Sequence, residues 1–384
     1  MKILHLSNVI GENKGGGVHA VVSNLYKNQR LLQHEPHVWF PGTEADANSI
    51  REDEHVKALT TFGSLKYGLV RGIFQAIPDE LREFDIIHQH GIWMPISIFS
   101  HKIRKNTQIK VVIQPHGYLL PNSRNLSKYK KLIAYNLYEK SNLQNANVLV
   151  ACAMDEALVL NKLFPNKEVA IIPNGVSIEF FNAPKSQNNY SNSKKRMLFL
   201  SQIIPVKGIE RVLKGIHSIG IGKFADWEFI LAGYENVSYK DFLIKTIDQL
   251  KLNSLVRFVG PQFGQDKIDL FDSSHVFILP SFNENYGIVV AEALARGIPV
   301  ITTKGTPWEE LNTNNCGFWE ENDEEGIKIA LLKLLETSDS ELSEMGKRGR
   351  KLVESKYLWN KATAKTIELY NWVLYGGSKP DFFI

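Results

Sequence analysis

The stretch Val276-Phe277-Ile278-Leu279-Pro280-Ser281-Phe282-Asn283-Glu284-Asn285-Tyr286-Gly287-Ile288-Val289-Val290-Ala291-Glu292-Ala293-Leu294 decides how this chain is read. Four apolar residues predict a buried strand, Pro-Ser ends it, a polar loop follows, and a helix is expected to open at about Gly287. Strand, loop and helix in that order build parallel sheets, whose ligands bind beyond the carboxyl ends of the strands. A helix N-terminus at that edge offers unpaired N–H groups to an anion such as a diphosphate. Glu284 falls in the loop and Glu292 over a turn into the helix. The two carboxylates can therefore meet different ends of one ligand, such as sugar hydroxyls at one end and ribose hydroxyls at the other. On spacing alone, a loop acid and a solvated helix acid weigh about equally against that reading.

Working outward, the same alternation fills the chain. Strands are expected at Lys2–Val9, His37–Phe40, Asp85–His88, Lys110–Gln114, Asn147–Ala151 and Val169–Pro173, with amphipathic stretches such as Val18–Leu32 and Leu126–Leu143 between them. Residues 182–195 are polar with almost no aliphatic side chain, which predicts a linker or exposed loop and a domain boundary near it. Strands are then expected at Met197–Ser201, Glu228–Ala232, Val256–Val259, Val276–Leu279 and Pro299–Thr302, each running into helical sequence. Helical patterns around Gly326–Leu335, Ser340–Ser355 and Ala362–Leu374 follow. At 384 residues the chain exceeds one ordinary core, so two α/β domains are expected.

Composition narrows the class. A hydrophobic share of 43% with 22% charged residues describes a globular protein, and a net charge of +4 is too mild for the basic stripe of a nucleic-acid binder. Cys152 and Cys316 lie far apart and form no Cys/His cluster, which argues against a disulfide framework or structural zinc and for a reducing cytoplasm. The N-terminal apolar run breaks too early for a secretory signal, and no run of about 18 apolar residues predicts a membrane span.

Further motifs sit at the ends of expected strands. Phe199-Leu200-Ser201-Gln202-Ile203-Ile204-Pro205-Val206-Lys207-Gly208 reads as strand, short loop, then Lys-Gly opening a helix. Lys207 there is a point charge for phosphates and Gly208 permits close backbone approach, although an isolated lysine is more often a solvated one. Gly15-Gly16-Gly17-Val18-His19 after the first strand makes a loop whose backbone can approach phosphate or sugar. Alone it is equally a flexible connection. Two His-Gly pairs, His90-Gly91 and His116-Gly117, end adjacent strands, and the segment 85–91 also carries His88. Strand-end histidines are usually structural. His88, His90 and His116 could in principle hold a metal, but no carboxylate motif accompanies them, and no Asp-x-Asp occurs. The acidic runs 51–54 and 320–325 read as solvated surface. The basic and aromatic stretch 118–135 suits anionic lipid headgroups, or is an ordinary amphipathic helix with a solvated basic face.

Taken together, Glu284-x7-Glu292, the segments 297–311 and 315–319, and the Lys207-Gly208 loop resemble the family 4 retaining glycosyltransferases (group 1), over nearly the whole chain and most strongly from about 195 to 320. The resemblance implies the GT-B fold: α/β, with two Rossmann-like domains facing each other across a deep cleft. The division expected is 1–175 for the acceptor domain, joined by the returning helix 360–384, and 176–359 for the nucleotide-sugar domain. It implies catalytic roles for His116, Glu284 and Lys207. Donor contacts would come from Gly16, Gly17, Gln202, Asn285, Tyr286, Gly287, Ile288 and Glu292, with Glu284 near the transferred sugar and Glu292 on the ribose. His90 and His19 are acceptor-side candidates. The family commonly carries an acid where this chain has His19, and an arginine where it has Gln202, which removes one positive charge from the leaving-group site.

The function expected is retaining transfer from a UDP- or GDP-sugar to a saccharide or lipid-linked saccharide in cell-surface polysaccharide or lipopolysaccharide synthesis. No cofactor or metal is expected, because Lys207 and helix N-termini can hold the diphosphate. A cytoplasmic location is expected, with peripheral contact through 118–135 on the inner membrane, and no nucleic acid. Two alternatives share the fold: a sugar-nucleotide epimerase, and a binding homologue that has lost catalysis. A dinucleotide-dependent oxidoreductase is disfavoured because no G-x-G-x-x-G follows the first strand.

Overall fold

A computed structural model describes residues 1–7, 16–42, 55–59, 61–62, 69–70, 79–121, 123, 128–185 and 194–384. They form two compact units: Met1–Asn174 with Trp359–Ile384, and Gly175–Leu358.

The first unit holds strands β1 (Lys2–Ser7), β2 (Glu35–Pro41), β3 (Val56–Leu59), a short antiparallel pair β4 (Thr61–Phe62) and β5 (Leu69–Val70), then β6 (Ile86–His90), β7 (Lys110–Gln114), β8 (Val148–Ala151) and β9 (Val169–Ile171). Seven of them make one parallel sheet in the order β3-β2-β1-β6-β7-β8-β9. The central strands are buried on both faces, which is why they read as near-continuous apolar runs. Alternate residues serve opposite faces. Leu4, Leu6, Ile87, Val111 and Ile113 pack with Ile96, Phe99 and Ile103 of helix Pro95–Asn106. Ile3, Ile86, Val112 and Val148 pack with Val21 and Leu25 of helix Gly16–Leu31 and with Trp359, Leu369 and Tyr370 of helix Trp359–Tyr375. The C-terminal segment returns to this unit, where Ile171 N–H donates to Phe382 O (2.8 Å).

The second unit holds β10 (Lys195–Leu200), β11 (Trp227–Ala232), β12 (Val256–Gly260), β13 (Val276–Leu279), β14 (Val300–Thr303) and β15 (Gly317–Glu320). All pairings are parallel, in the order β12-β11-β10-β13-β14-β15. Counted from its own first strand this is 3-2-1-4-5-6, the doubly wound order, whose direction reverses between β10 and β13. The first unit reverses likewise between β1 and β6. Local signals start several helices: Asn236, Asp323 and Ser338 each accept a main-chain N–H through their side chains at helix starts.

Every strand expected from the sequence is present within about two residues, save that Asn8 and Val9 lie outside the described residues. The sequence pattern does not mark β3, β4, β5 or β15. Helix 128–144 carries a π turn at Tyr135–Glu139. Gly15, the acidic run 51–54, Asn122, residues 124–127 and the 186–193 part of the expected linker also fall outside the described residues.

Candidate functional site

In the second unit the loops after β10 and β13 leave the sheet at its reversal point, where such sheets take ligands. The two loops are joined: Phe282 N–H donates to Val206 O (2.9 Å), and the Lys207 ammonium pairs with Glu284 Oε1. Both side chains are largely buried, at 13% and 14% exposure, so neither is the free surface charge that either residue alone suggests. Ser281 Oγ donates to the same Glu284 oxygen (2.9 Å), and Glu284 N–H donates to Gly305 O (2.8 Å) from the loop after β14. Gly208 closes the Lys207 turn at φ +65°, and a Cβ there would stand 2.5 Å from Pro280 O. That closeness explains the Lys-Gly pair: the loop can approach β13 only without a side chain.

Glu292 lies in helix Ile288–Ala295, which Gly287 opens from the left-handed region (φ +77°). Its Oε1 takes a hydrogen bond from Lys267 Nζ (2.6 Å), while its Oε2 is buried without a hydrogen-bond partner among the described residues. A buried, half-satisfied carboxylate is costly unless a donor arrives. Asn285, Gly287 and Ile288 are half-buried. The Tyr286 side chain turns inward onto Trp308 and Tyr357, and its carbonyl accepts from Trp308 Nε1 (2.6 Å), so this residue shapes the loop from beneath.

Gln202 is exposed. Lys304, in the loop after β14, pairs with Glu321 and lies over Trp319. The cation that does underlie the loops is Arg211, four residues after Lys207, which the sequence reading passed over. It is buried, donates through Nη2 to Pro280 O and through Nη1 to Asn322 Oδ1 (2.9 Å), and its guanidinium stacks 3.9 Å from the Phe282 ring. The acidic run 320–325 is not merely solvated. Glu320 pairs with Lys333 (2.6 Å), Glu324 with Lys214 (2.5 Å), and Asp323 caps the following helix.

In the first unit, β1 and β6 place His5 opposite His88 and Ser7 opposite His90, so three imidazoles share one sheet face. His5 Nδ1 is 2.9 Å from His90 Nε2, His90 Nδ1 is 3.2 Å from His116 Nε2, and His5 Nε2 is 2.8 Å from Gln29 Oε1. His88 Nδ1 meets the Tyr370 hydroxyl at 2.7 Å. Burial disfavours the charged form of every member. It pulls His5 down to about 4 and His116 to about 3, and holds His88 and His90 well below the usual imidazole value. His116 follows β7 at φ +55° and is half-buried, whereas the other three are fully enclosed. Its turn is held by Glu156, a buried carboxylate that accepts from Gly117 N–H and from Cys152 N–H (2.9 Å). Glu139, its carboxyl pushed up to about 7 by burial, similarly accepts from Trp93 N–H (2.8 Å) after β6. His19 is half-buried on helix Gly16–Leu31 with Ser23 Oγ at 3.4 Å, Gly16 begins that helix, and Gly17 is exposed.

Among the described residues, two groups bring three possible metal-binding atoms within 4.8 Å of one another: buried His5, His88 and His90, and surface Glu35, His37 and His55. The sequence had grouped His116, not His5, with His88 and His90. In the stretch 118–135 and its continuation, Tyr129, Leu132, Ile133 and Leu137 are exposed at 82%, 55%, 60% and 76%, an apolar stripe flanked by exposed Lys130 and Lys140. No described helix is long and apolar enough to cross a membrane.

Comparison with known proteins matches residues 15–180 to the model of Glycosyltransferase Family 4 and residues 181–352 to that of Glycosyl transferases group 1. The N-acetyl-alpha-D-glucosaminyl L-malate synthase of Bacillus anthracis is 24% identical over 374 residues, 94% of each chain. The D-inositol 3-phosphate glycosyltransferase of Corynebacterium diphtheriae is 24% identical over 61% of this chain, and the match spans 58% of that protein's length. Among solved structures, Anabaena Alr3699/HepE in complex with UDP and glucose superposes with a TM-score of 0.75 at 17% identity, covering 96% of this chain and 99% of that one. Its fold is the GT-B arrangement of two Rossmann-like domains, the fold of the present chain.

Proposed function

This chain belongs to the family 4, group 1 glycosyltransferases, and we propose that it moves a hexosyl group from a UDP- or GDP-sugar, with retention, to a hydroxyl of a saccharide or lipid-linked saccharide. The reading is carried by one observation: Lys207 and Glu284 are brought together at the reversal point of the second sheet, beside the start of helix Ile288–Ala295. An incoming diphosphate competes with Glu284 for the Lys207 ammonium. That exchange leaves the cation on the departing phosphate and frees the carboxylate for the sugar.

In the step proposed, the bond from the anomeric carbon to the phosphate oxygen breaks, and its electron pair goes to the diphosphate. The acceptor hydroxyl forms the new bond from the same face, and its proton passes to the departing phosphate oxygen. Lys207 and the N–H groups opening helix Ile288–Ala295 stabilise the growing negative charge, a contribution of roughly 3–4 kcal/mol per well-placed donor. Arg211, beneath the same loops, holds them in place where the family arginine is replaced by Gln202. Glu292 accepts from the ribose hydroxyls, which would satisfy its buried Oε2, and His116 meets the transferred sugar. Charge neutralisation by lysine and helix N–H groups makes the transfer independent of a divalent metal.

The acceptor proposed belongs to cell-surface polysaccharide or lipopolysaccharide synthesis. The exposed stripe Tyr129, Leu132, Ile133 and Leu137 with its lysines supports cytoplasmic enzyme resting on an anionic membrane face. The test is incubation with UDP- and GDP-hexoses and saccharide acceptors in EDTA. Release of nucleoside diphosphate with an α-glycoside from an α-linked donor is expected. An epimerised sugar nucleotide formed without acceptor, or a strict need for added Mg²⁺, would refute the respective part.

A further inference from the structure

We propose that Gln29, His5 and His90 form a hydrogen-bonded chain that sets the tautomer of His116, presenting its Nδ1 as a lone pair to a sugar hydroxyl. The argument starts at Gln29. With the amide turned so that its oxygen, which can only accept, lies 2.8 Å from His5 Nε2, that nitrogen carries the proton. A neutral His5 then has a bare Nδ1, which must accept from His90 Nε2–H across 2.9 Å. A neutral His90 in turn has a bare Nδ1, which accepts from His116 Nε2–H across 3.2 Å. Each link uses up one nitrogen, and the last bare nitrogen is His116 Nδ1.

The order of enclosure agrees with this direction. His5, His90 and Gln29 are fully buried, and His116 is the member that reaches the surface. A chain of neutral rings also suits the chemistry. An imidazolium beside a sugar that develops positive charge would raise the barrier, whereas a fixed lone pair lowers it. Among the described residues the groups facing the chain are His88 on β6 and Tyr370 on helix Trp359–Tyr375, hydrogen-bonded to one another at 2.7 Å, and no carboxylate there is hydrogen-bonded to these rings. That absence of negative charge, with two ring nitrogens 2.9 Å apart, favours a shared proton over a divalent ion between His5 and His90. The role of the chain in catalysis rests on the proposed placement of His116 beside the transferred sugar; the tautomer itself does not.

The test is nitrogen-15 spectroscopy of histidine-labelled protein without ligand, followed by kinetics. His5, His90 and His116 should all appear as neutral rings protonated at Nε2. In Gln29→Leu the His116 signal should move toward a mixture of tautomers, and kcat should fall about tenfold with little change in donor KM. A wild-type His116 that is protonated at Nδ1 or doubly protonated would overturn the chain, as would stoichiometric zinc retained by the purified protein and lost in His88→Ala. A tautomer lost in Gln29→Leu with kcat unchanged would leave the chain standing and remove its link to the sugar.

Discussion

Glu284 and Glu292 are chemically alike and eight residues apart, yet they have different partners: Lys207 and Ser281 for the first, Lys267 for the second. Glu284 is tied to Lys207 and Ser281, and the proposed reaction develops its charge beside them, so under that proposal Glu284→Gln should mainly lower kcat. The proposal assigns Glu292 to the ribose, which does not change during reaction, so Glu292→Gln should mainly raise the donor KM. Steady-state kinetics with the best donor checks both, and a shared loss of kcat with unchanged KM would contradict the division. Lys207→Ala should cut turnover by roughly 10²-fold and, because it leaves the largely buried Glu284 carboxylate without its cation, should also lower the thermal unfolding temperature. Near-normal kinetics would take Lys207 off the diphosphate. The positions of the two glutamates and the lysine at strand ends were legible because loop-then-helix spacing is a local signal. Their pairing was not, since 77 residues separate Lys207 from Glu284. Nor were His5, Gln29 or Arg211: polar residues inside apolar strands and helices declare a role only when the fold brings their partners.

Helix Ile288–Ala295 has almost no polar residue except Glu292, and it is set by what packs behind it. Helix Asp339–Lys356 crosses it using glycines, and a Cβ on Gly346 would stand 1.9 Å from Gly297 O. Gly346→Ala must therefore push the two elements apart. It should cost about 1–3 kcal/mol in denaturant unfolding and weaken nucleoside diphosphate binding through displaced Glu292. Wild-type stability in this variant would show that the approach is looser than described. Elements of this kind were easy to find in the sequence where strands are central, because burial on both faces writes a continuous apolar run. The edge strands Val56–Leu59 and Gly317–Glu320 read V-K-A-L and G-F-W-E, too short and mixed to stand out. The π turn at Tyr135–Glu139 leaves no periodic trace because it adds a single residue to one helical turn.

Across the whole molecule, burial of neutral histidines couples stability to pH. His5, His88, His90 and His116 have folded-state values below that of the unfolded chain, so below about pH 6.5 the unfolded chain binds protons that the fold refuses. Their contribution is complete above that pH and is lost as pH falls, for His5 down to about 4. Glu139 acts oppositely: raised to about 7, it favours the fold at low pH and loses that contribution as pH rises from the carboxylate range to about 7. With one group opposing four, the unfolding transition of the first unit should weaken between pH 7 and pH 5, by about 1.4 kcal/mol per pH unit for a fully enclosed histidine such as His5. Differential scanning calorimetry at the two pH values checks it, and equal or greater stability at pH 5 would contradict it. That this chain is α/β with two sheets was readable from alternation alone; the strand order was not, because it depends on which apolar runs become neighbours. The central claim, a donor site built on Lys207, Glu284 and Glu292, is tested most directly by calorimetric titration of UDP and GDP into wild type, Glu284→Gln and Glu292→Gln in EDTA. The account predicts saturable binding of one of the two nucleotides, weakened in Glu292→Gln and tightened in Glu284→Gln, where no carboxylate competes with the diphosphate for Lys207, whereas binding of neither nucleotide, or equal affinity in all three proteins, would contradict it.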